Sequence, residues 1–224
     1  GIARDEVSGM YEVIIKDEPI KNVALKIPGY PSLEVIPTTQ SLANAEVELV
    51  PLVARETRLK KALTNYLMDA SARGERFDYV IIDCPPSLGL LTINALVAAD
   101  ELLIPIQCEY YSLEGLTLLL HTVSLIQEHL NPNIKLSTIV LTMFDGRTRL
   151  ANDVADEVRK HYPEQLIDIP IPRAVRVSEA PSYGQTVMTY DPSSNGAEAY
   201  GLVAREIARR GAPSLTNVTE VGVG

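Results

Sequence analysis

From residue 79 onward the chain alternates short, dry, β-branched runs with stretches of helical period, in units of roughly 30 residues. Tyr79–Asp83, Glu101–Ile106, Leu136–Met143 and Leu166–Ile169 read as strands. Leu90–Ala99, Ser112–Leu130, Leu150–Tyr162 and Ala197–Arg210 read as helices. Runs this short and this apolar are strands buried on both faces, which is the habit of parallel sheets. The pattern predicts an α/β fold: a mostly parallel sheet with helices on both faces. Upstream, Leu33–Pro37 reads as a short strand, Ser41 caps a helix, and Arg55 to Arg73 forms another. Tyr11–Ile15 is compatible with either helix or strand, and Gly29-Tyr30-Pro31-Ser32 is a turn. These readings predict an irregular segment over 1–32, one α/β domain over 33–210, and a flexible tail over 211–224.

Composition narrows the partners. The 224 residues are 46% hydrophobic with two Phe and no Trp, so Leu, Val, Ile and Ala must build the core. No apolar run approaches the ~20 residues that span a bilayer, and no charged-then-apolar leader opens the chain. Cys84 and Cys108 are the only cysteines and lack metal-ligand spacing, which suits a reducing, cytoplasmic setting. A formal net charge of −9 argues against a generally basic nucleic-acid binder. It leaves room for a local basic patch, whose field dominates within about one Debye length, ~8–10 Å.

Four segments carry candidate chemistry. Phe77-Asp78-Tyr79-Val80-Ile81-Ile82-Asp83-Cys84-Pro85-Pro86-Ser87 ends a dry run in one carboxylate. Asp83 would stand at the carboxyl end of a strand, where ligands of open parallel sheets collect. A Walker-B-type role beside Mg²⁺ and a turn or cap aspartate are the two readings. Gln107-Cys108-Glu109-Tyr110-Tyr111-Ser112-Leu113-Glu114-Gly115 opens a helix at the same edge, with Ser112 as a plain N-cap alternative. Thr142-Met143-Phe144-Asp145-Gly146-Arg147-Thr148-Arg149 is a turn that projects arginines, whose donor fork suits phosphate. The stretch from Ile169 to Gly184, with Arg173 and Arg176, is a long proline-rich irregular segment of the kind that is functional or solvated. No catalytic triad spacing and no Cys/His cluster occurs.

In order and spacing these segments, with Asn94-Ala95-Leu96 and Glu179-Ala180-Pro181-Ser182, resemble the ParA/Soj family of partitioning ATPases, a branch of the deviant-Walker-A P-loop NTPases that includes MinD. The likeness runs from about residue 33 to residue 210. It implies a P-loop NTPase-like fold, ATP and Mg²⁺ as cofactors, an ATP-dependent homodimer, non-specific DNA binding, a ParB-type partner, and a cytoplasmic, nucleoid-associated protein without membrane attachment. Carried over by position, Asp83 would be the Mg²⁺-side carboxylate. Pro172 and Arg173 would lie against the adenine. Glu109, Glu114 and Gly115 would border the nucleotide and the dimer face, and Arg147, Arg173 and Arg176 would contact DNA. Two positions depart from the family: Ala174 stands where Asn is usual and Cys84 where Ala is usual.

A third departure is larger. The sequence holds no Gly-x-x-x-x-Gly-Lys-Ser/Thr loop and no Asp-x-Asp-Pro-Gln segment. The resemblance therefore implies a fold lacking its first strand, P-loop and first helix, with no catalytic residue of its own, weak ATP binding and no ATP hydrolysis. It also implies exposed flanks on the neighbouring strands. A non-enzymatic DNA- or partner-binding module is the first alternative. A MinD-like division-site regulator is the second, disfavoured by a tail, Ser214 to Glu220, without Lys or Arg.

Overall fold

The computed structural model describes residues 8–85 and 87–211. The contacts divide the chain, including the span 33–210 read above as one domain, into two compact units. One runs to Leu102 and takes in Thr117–Lys135; the other comprises Leu103–Leu116 and continues from Leu136.

The first unit is mostly helical. It contains α1 (Met10–Lys16), β1 (Leu25–Ile27), β2 (Tyr30–Val35), α2 (Leu42–Leu49), α3 (Arg58–Ala72), α4 (Leu90–Ala98) and the later turns of α5 (Ser112–His129). Segment 1–32, expected to be irregular, thus carries a helix and most of an antiparallel hairpin; residues 1–7 lie outside the described residues. The hairpin turns at Pro28-Gly29, where Gly29 takes φ 83°, a conformation glycine adopts without a Cβ clash. One apolar cluster joins Val13, Ile20 and Val23 to Leu63 and Tyr66. A second joins Leu96 and Val97 of α4 to Val123 and Ile126 of α5 and to Ile134.

Polar side chains fix the helix ends here. Asn94 is fully buried; its Oδ1 accepts from Leu59 N at 3.2 Å, and its Nδ2 donates to Arg55 O at 2.7 Å and Leu90 O at 2.9 Å. It therefore satisfies a first-turn N–H of α3 that the helix itself leaves without a partner. Asn131, read in the sequence as a chain breaker, donates to Leu96 O and Ala99 O and closes the end of α4. Arg58 donates to Ile14 O and Ile15 O at the end of α1 and pairs with Asp17 at 2.7 Å.

Tyr79–Asp83 departs from expectation. No strand is assigned there, and Tyr79, Val80 and Ile81 are exposed, Ile81 by 90%. β-branched composition makes a residue suited to a ladder, but a strand exists only where a neighbour supplies the hydrogen bonds. Among the described residues none pairs with this run. Further on, the start of α4 is anchored: Glu46 of α2 accepts from Leu90 N at 2.7 Å and Leu91 N at 3.2 Å. A carboxylate at a helix N-terminus meets both free N–H groups and the positive end of the dipole. A Cβ at Gly89 would lie 2.5 Å from Glu46 Oε1, so any larger residue there obliges the Glu46 carboxylate to move.

The second unit is built on a three-stranded sheet in the order β3-β4-β5, from β3 (Glu101–Gln107), β4 (Lys135–Thr142) and β5 (Leu166–Ile167). β4 and β5 pair in parallel. Thr138, Ile139, Val140 and Leu141 are all buried, the both-faces burial expected of a parallel-sheet strand. α6 (Arg149–His161) buries Ala151, Val154, Ala155 and Val158, one stripe at helical spacing. Val140, Ile167 and Ile171 pack with Ala199 and Val203 of α9 (Asn195–Gly211). Short helices α7 (Val175–Glu179) and α8 (Val187–Tyr190), with a 3-10 turn at Ala180–Tyr183, organise the segment read as irregular. Of the expected flexible tail only Gly211 is described, as the last residue of α9; 212–224 lie outside the described residues. The fold class is α/β, as the alternation predicts.

The Glu46–α4 contact yields a coupled expectation. Glu46→Ala lowers stability by about 1–2 kcal/mol, the worth of a helix N-terminal cap. Gly89→Ala is destabilising in the native background and much less so in Glu46→Ala, because the carboxylate it collides with is gone. Urea unfolding of the two single variants and the double variant reads this coupling; strictly additive losses would refute it.

Candidate functional site at the carboxyl edge of the sheet

Where β4 ends, its neighbours continue the hydrogen-bonding pattern into loops. Cys108 N donates to Thr142 O at 3.2 Å, and Thr142 Oγ1 donates to Ile106 O at 3.2 Å. On the other side Ile171 N donates to Leu141 O at 2.8 Å, Phe144 N to Ile171 O at 3.0 Å, and Arg173 N to Phe144 O at 3.0 Å. A parallel bridge joins Phe144 and Pro172. The chain leaves β4 through Met143, whose φ of 51° lies in the left-handed region rarely used by such a side chain. Off-region backbone of this kind persists where surrounding bonds over-determine it, and it concentrates at functional sites.

These loops enclose an open cleft of about 730 Å³ whose lining includes Gln107, Glu109, Tyr111, Met143, Asp145 and Arg173. The 143–148 loop is tightly held. Thr148 Oγ1 donates to Asp145 O at 2.9 Å and accepts from Ala151 N at 3.3 Å, capping α6. Asn152 Nδ2 donates back to Gly146 O and Thr148 O.

Charge at this edge is paired. Arg147 holds Asp145 with Nε at 2.9 Å and Nη2 at 2.8 Å, and its backbone N–H adds a third bond at 3.1 Å. Those Arg147 side-chain bonds, then the backbone bond, bring the Asp145 carboxyl from its ordinary 3.8 to about 2. Arg173 Nη2 meets Glu109 Oε1 at 2.7 Å, both side chains about half exposed. Arg176 of α7 pairs with Glu179 at 3.0 Å and Asp191 at 3.6 Å and lies over the Tyr190 ring, which stacks on Tyr183.

Of the residues singled out in the sequence, Glu109, Arg147, Pro172 and Arg173 gather at this edge. Arg176 belongs to the same unit but sits in its own cluster with Glu179, Tyr190 and Asp191. Glu114 and Gly115 lie exposed at the start of α5 and do not line the cleft. A Cβ at Gly115 would meet nothing within 4 Å among the described residues, so no contact seen there calls for glycine. Asp83 belongs to the helical unit, exposed, at the end of the unpaired run.

Magnesium held beside a nucleotide draws on one or two carboxylates together with the phosphates. Among the described residues no group of three or more His, Cys, Asp or Glu side chains is placed to hold a metal ion. Asp83 offers one exposed carboxylate, and the sequence has no Walker A loop to present phosphates to it. Among the described residues no helix is long and apolar enough to cross a membrane.

Sequence reasoning missed two functional groups. Asp145 was legible as an Asp-Gly turn but not as the partner of Arg147, although an Asp two residues before an Arg is a local pairing signal. Glu46 had no local signal, because its partners lie 44 and 45 residues away.

The chain is similar to known proteins over most of its length. A family described as an AAA domain matches residues 2–136. The sporulation initiation inhibitor protein Soj of Bacillus subtilis is 48% identical over 212 residues, 94% of this chain and 81% of that protein. The chromosome partitioning protein ParA of Myxococcus xanthus is 46% identical over 214 residues, 95% of this chain and 73% of that protein. Among solved structures, the cobyrinic acid a,c-diamide synthase of Mycobacterium smegmatis, with bound ADP and magnesium, superposes with a TM-score of 0.74. That pair is 32% identical, with 93% of this chain and 75% of that one covered.

The Asp145 pairing sets a pH signature. The carboxyl is more acidic folded than unfolded, so its ionised form favours the folded chain. The contribution is complete above about pH 5, declines as pH falls through 3.8 toward 2, and is absent below. Wild type and Asp145→Asn should therefore differ in urea midpoint at pH 6 and converge near pH 2. A difference that persists unchanged to the acid end would contradict the pairing.

Proposed function

This chain belongs to the ParA/Soj family of chromosome-partitioning ATPases, and from that premise we propose that it serves DNA segregation by binding duplex DNA without sequence preference. The observation that carries the reading is the placement of Arg147 and Arg173. The backbone bonds around Phe144 bring both to the carboxyl edge of one sheet, and Arg147 projects with its side chain 90% exposed. Guanidinium forks match phosphate oxygens bidentately. Arg176, with Glu179 and Asp191 beside it, is a third proposed contact. Arginines that already face carboxylates, on a body of net charge −9, suit weak, salt-sensitive, reversible binding.

The remaining family properties are proposals for this chain. ATP and Mg²⁺ would meet Asp83 and the Pro172-Arg173 segment only with a phosphate-binding loop supplied. Glu109, Glu114 and Gly115 would border the nucleotide and a homodimer face, and the open space over Gly115 supports a close approach there. A ParB-type protein would be the partner, and the setting cytoplasmic and nucleoid-associated. A second reading for the 224 residues themselves is a non-enzymatic DNA- or partner-binding module.

Fluorescence anisotropy with unrelated duplexes tests both readings. Arg147→Ala and Arg173→Ala should each weaken binding equally across sequences. Each should flatten the slope of log K against log salt by about 0.9 for one lost phosphate contact. Unchanged affinity in both variants removes the DNA reading. The chain alone should show no magnesium-dependent ATP turnover, and measurable turnover removes the non-enzymatic one.

A further inference from the structure

Arg173 is anchored by its backbone and only lightly held by its side chain. Its N–H is fixed on Phe144 O at 3.0 Å. Its guanidinium has one close contact to Glu109, Nη2 to Oε1 at 2.7 Å. Five N–H donors occupy that head, so a single-point contact leaves most of the fork uncommitted. Glu109 is likewise anchored by backbone bonds, its N–H on Gln107 O at 2.8 Å and its carbonyl accepting from Ser112 N at 3.1 Å. Both loops keep their shape without the bridge. The bridge is tertiary, spanning 64 residues, and both partners are about half exposed, so its net worth is small.

A weak contact between two independently anchored loops adds little to the fold. It does occupy a cation with an anion in the place where a phosphate oxygen would sit. Asp145, the other acid facing this edge, is already committed to Arg147 by two side-chain bonds, and its partner is local. Glu109 is the carboxylate that can release an arginine by swinging away.

We propose that Glu109 is a built-in competitor for phosphate at Arg173, holding the guanidinium until a backbone phosphate displaces it. The proposal rests on the DNA-binding reading above and adds its regulation. A phosphate displaces the carboxylate because it offers the bidentate geometry that the single Glu109 contact lacks. The exchange lowers affinity and keeps the bound state reversible.

The test compares Glu109→Gln with Glu198→Gln, which removes the same charge from an exposed position of the same unit without breaking an ion pair seen among the described residues. Anisotropy with a short duplex should show Glu109→Gln binding about two- to five-fold tighter, the range expected for one exposed ion pair. Glu198→Gln should gain less than half of that. In an Arg173→Ala background the Glu109→Gln gain should vanish, since no guanidinium remains to be released. An equal gain from Glu198→Gln, or a gain that survives Arg173→Ala, overturns the proposal.

A second readout does not depend on DNA. Phenylglyoxal modification of Arg173, mapped by peptide mass spectrometry, should be faster in Glu109→Gln than in wild type. Tripolyphosphate should protect Arg173 at lower concentration in the variant. If no form of the chain binds duplex, the DNA reading fails while this experiment still decides the competition. Equal modification rates and equal protection in the two proteins overturn it.

Discussion

Everything at the proposed binding edge depends on the backbone ladder that runs off the end of β4. Ile139 and Leu141 are buried to within 1% of complete, so the strand cannot shift without exposing core. Its last carbonyls and the next residues receive and return bonds from both sides: Cys108 on one, Ile171 and Arg173 on the other. A buried strand of fixed register thereby sets the positions of three loops that have little core of their own. Met143 takes its left-handed turn because those bonds leave the chain no other exit.

On this frame the charges are arranged locally and nearly balanced. Arg147, Arg173 and Arg176 each face a carboxylate within 3.0 Å, so the edge is not a bare basic patch. Exposed pairs of this kind add little stability, and salt screens them. On the proposed reading their consequence is competitive: an incoming phosphate would exchange one anion for another, and affinity would follow from the difference between two similar contacts. An acidic chain with three paired arginines can therefore carry a DNA role without a basic isoelectric point.

The sequence made the helices legible because a 3.6-residue period reports burial directly. Leu59, Leu63 and Tyr66 announce α3, and Ala151, Val154, Ala155 and Val158 announce α6, with ends displaced by one to three residues. β4 was legible from its β-branched and apolar stretch, Thr138 to Leu141. Tyr79–Asp83 was misread for a physical reason: composition reports what a residue tolerates, whereas a strand requires a partner that local sequence cannot display. β1 was missed because three residues before a Pro-Gly turn are too few to show a period. The arginines were visible as motifs. Their acidic partners were not: Asp145 was read only as a turn residue although it lies two residues from Arg147, and Glu109 meets Arg173 across 64 residues.

The central claim is that the loops at the end of β4 form the phosphate-contacting edge. Backbone amide shifts recorded while short duplex DNA is added test it most directly. The predicted result is a set of changes concentrated at 143–149 and 171–176, reversed by salt, with α1 through α3 silent. Changes centred on α1 through α3, with the Arg147 and Arg173 amides unmoved at saturating duplex, would contradict it.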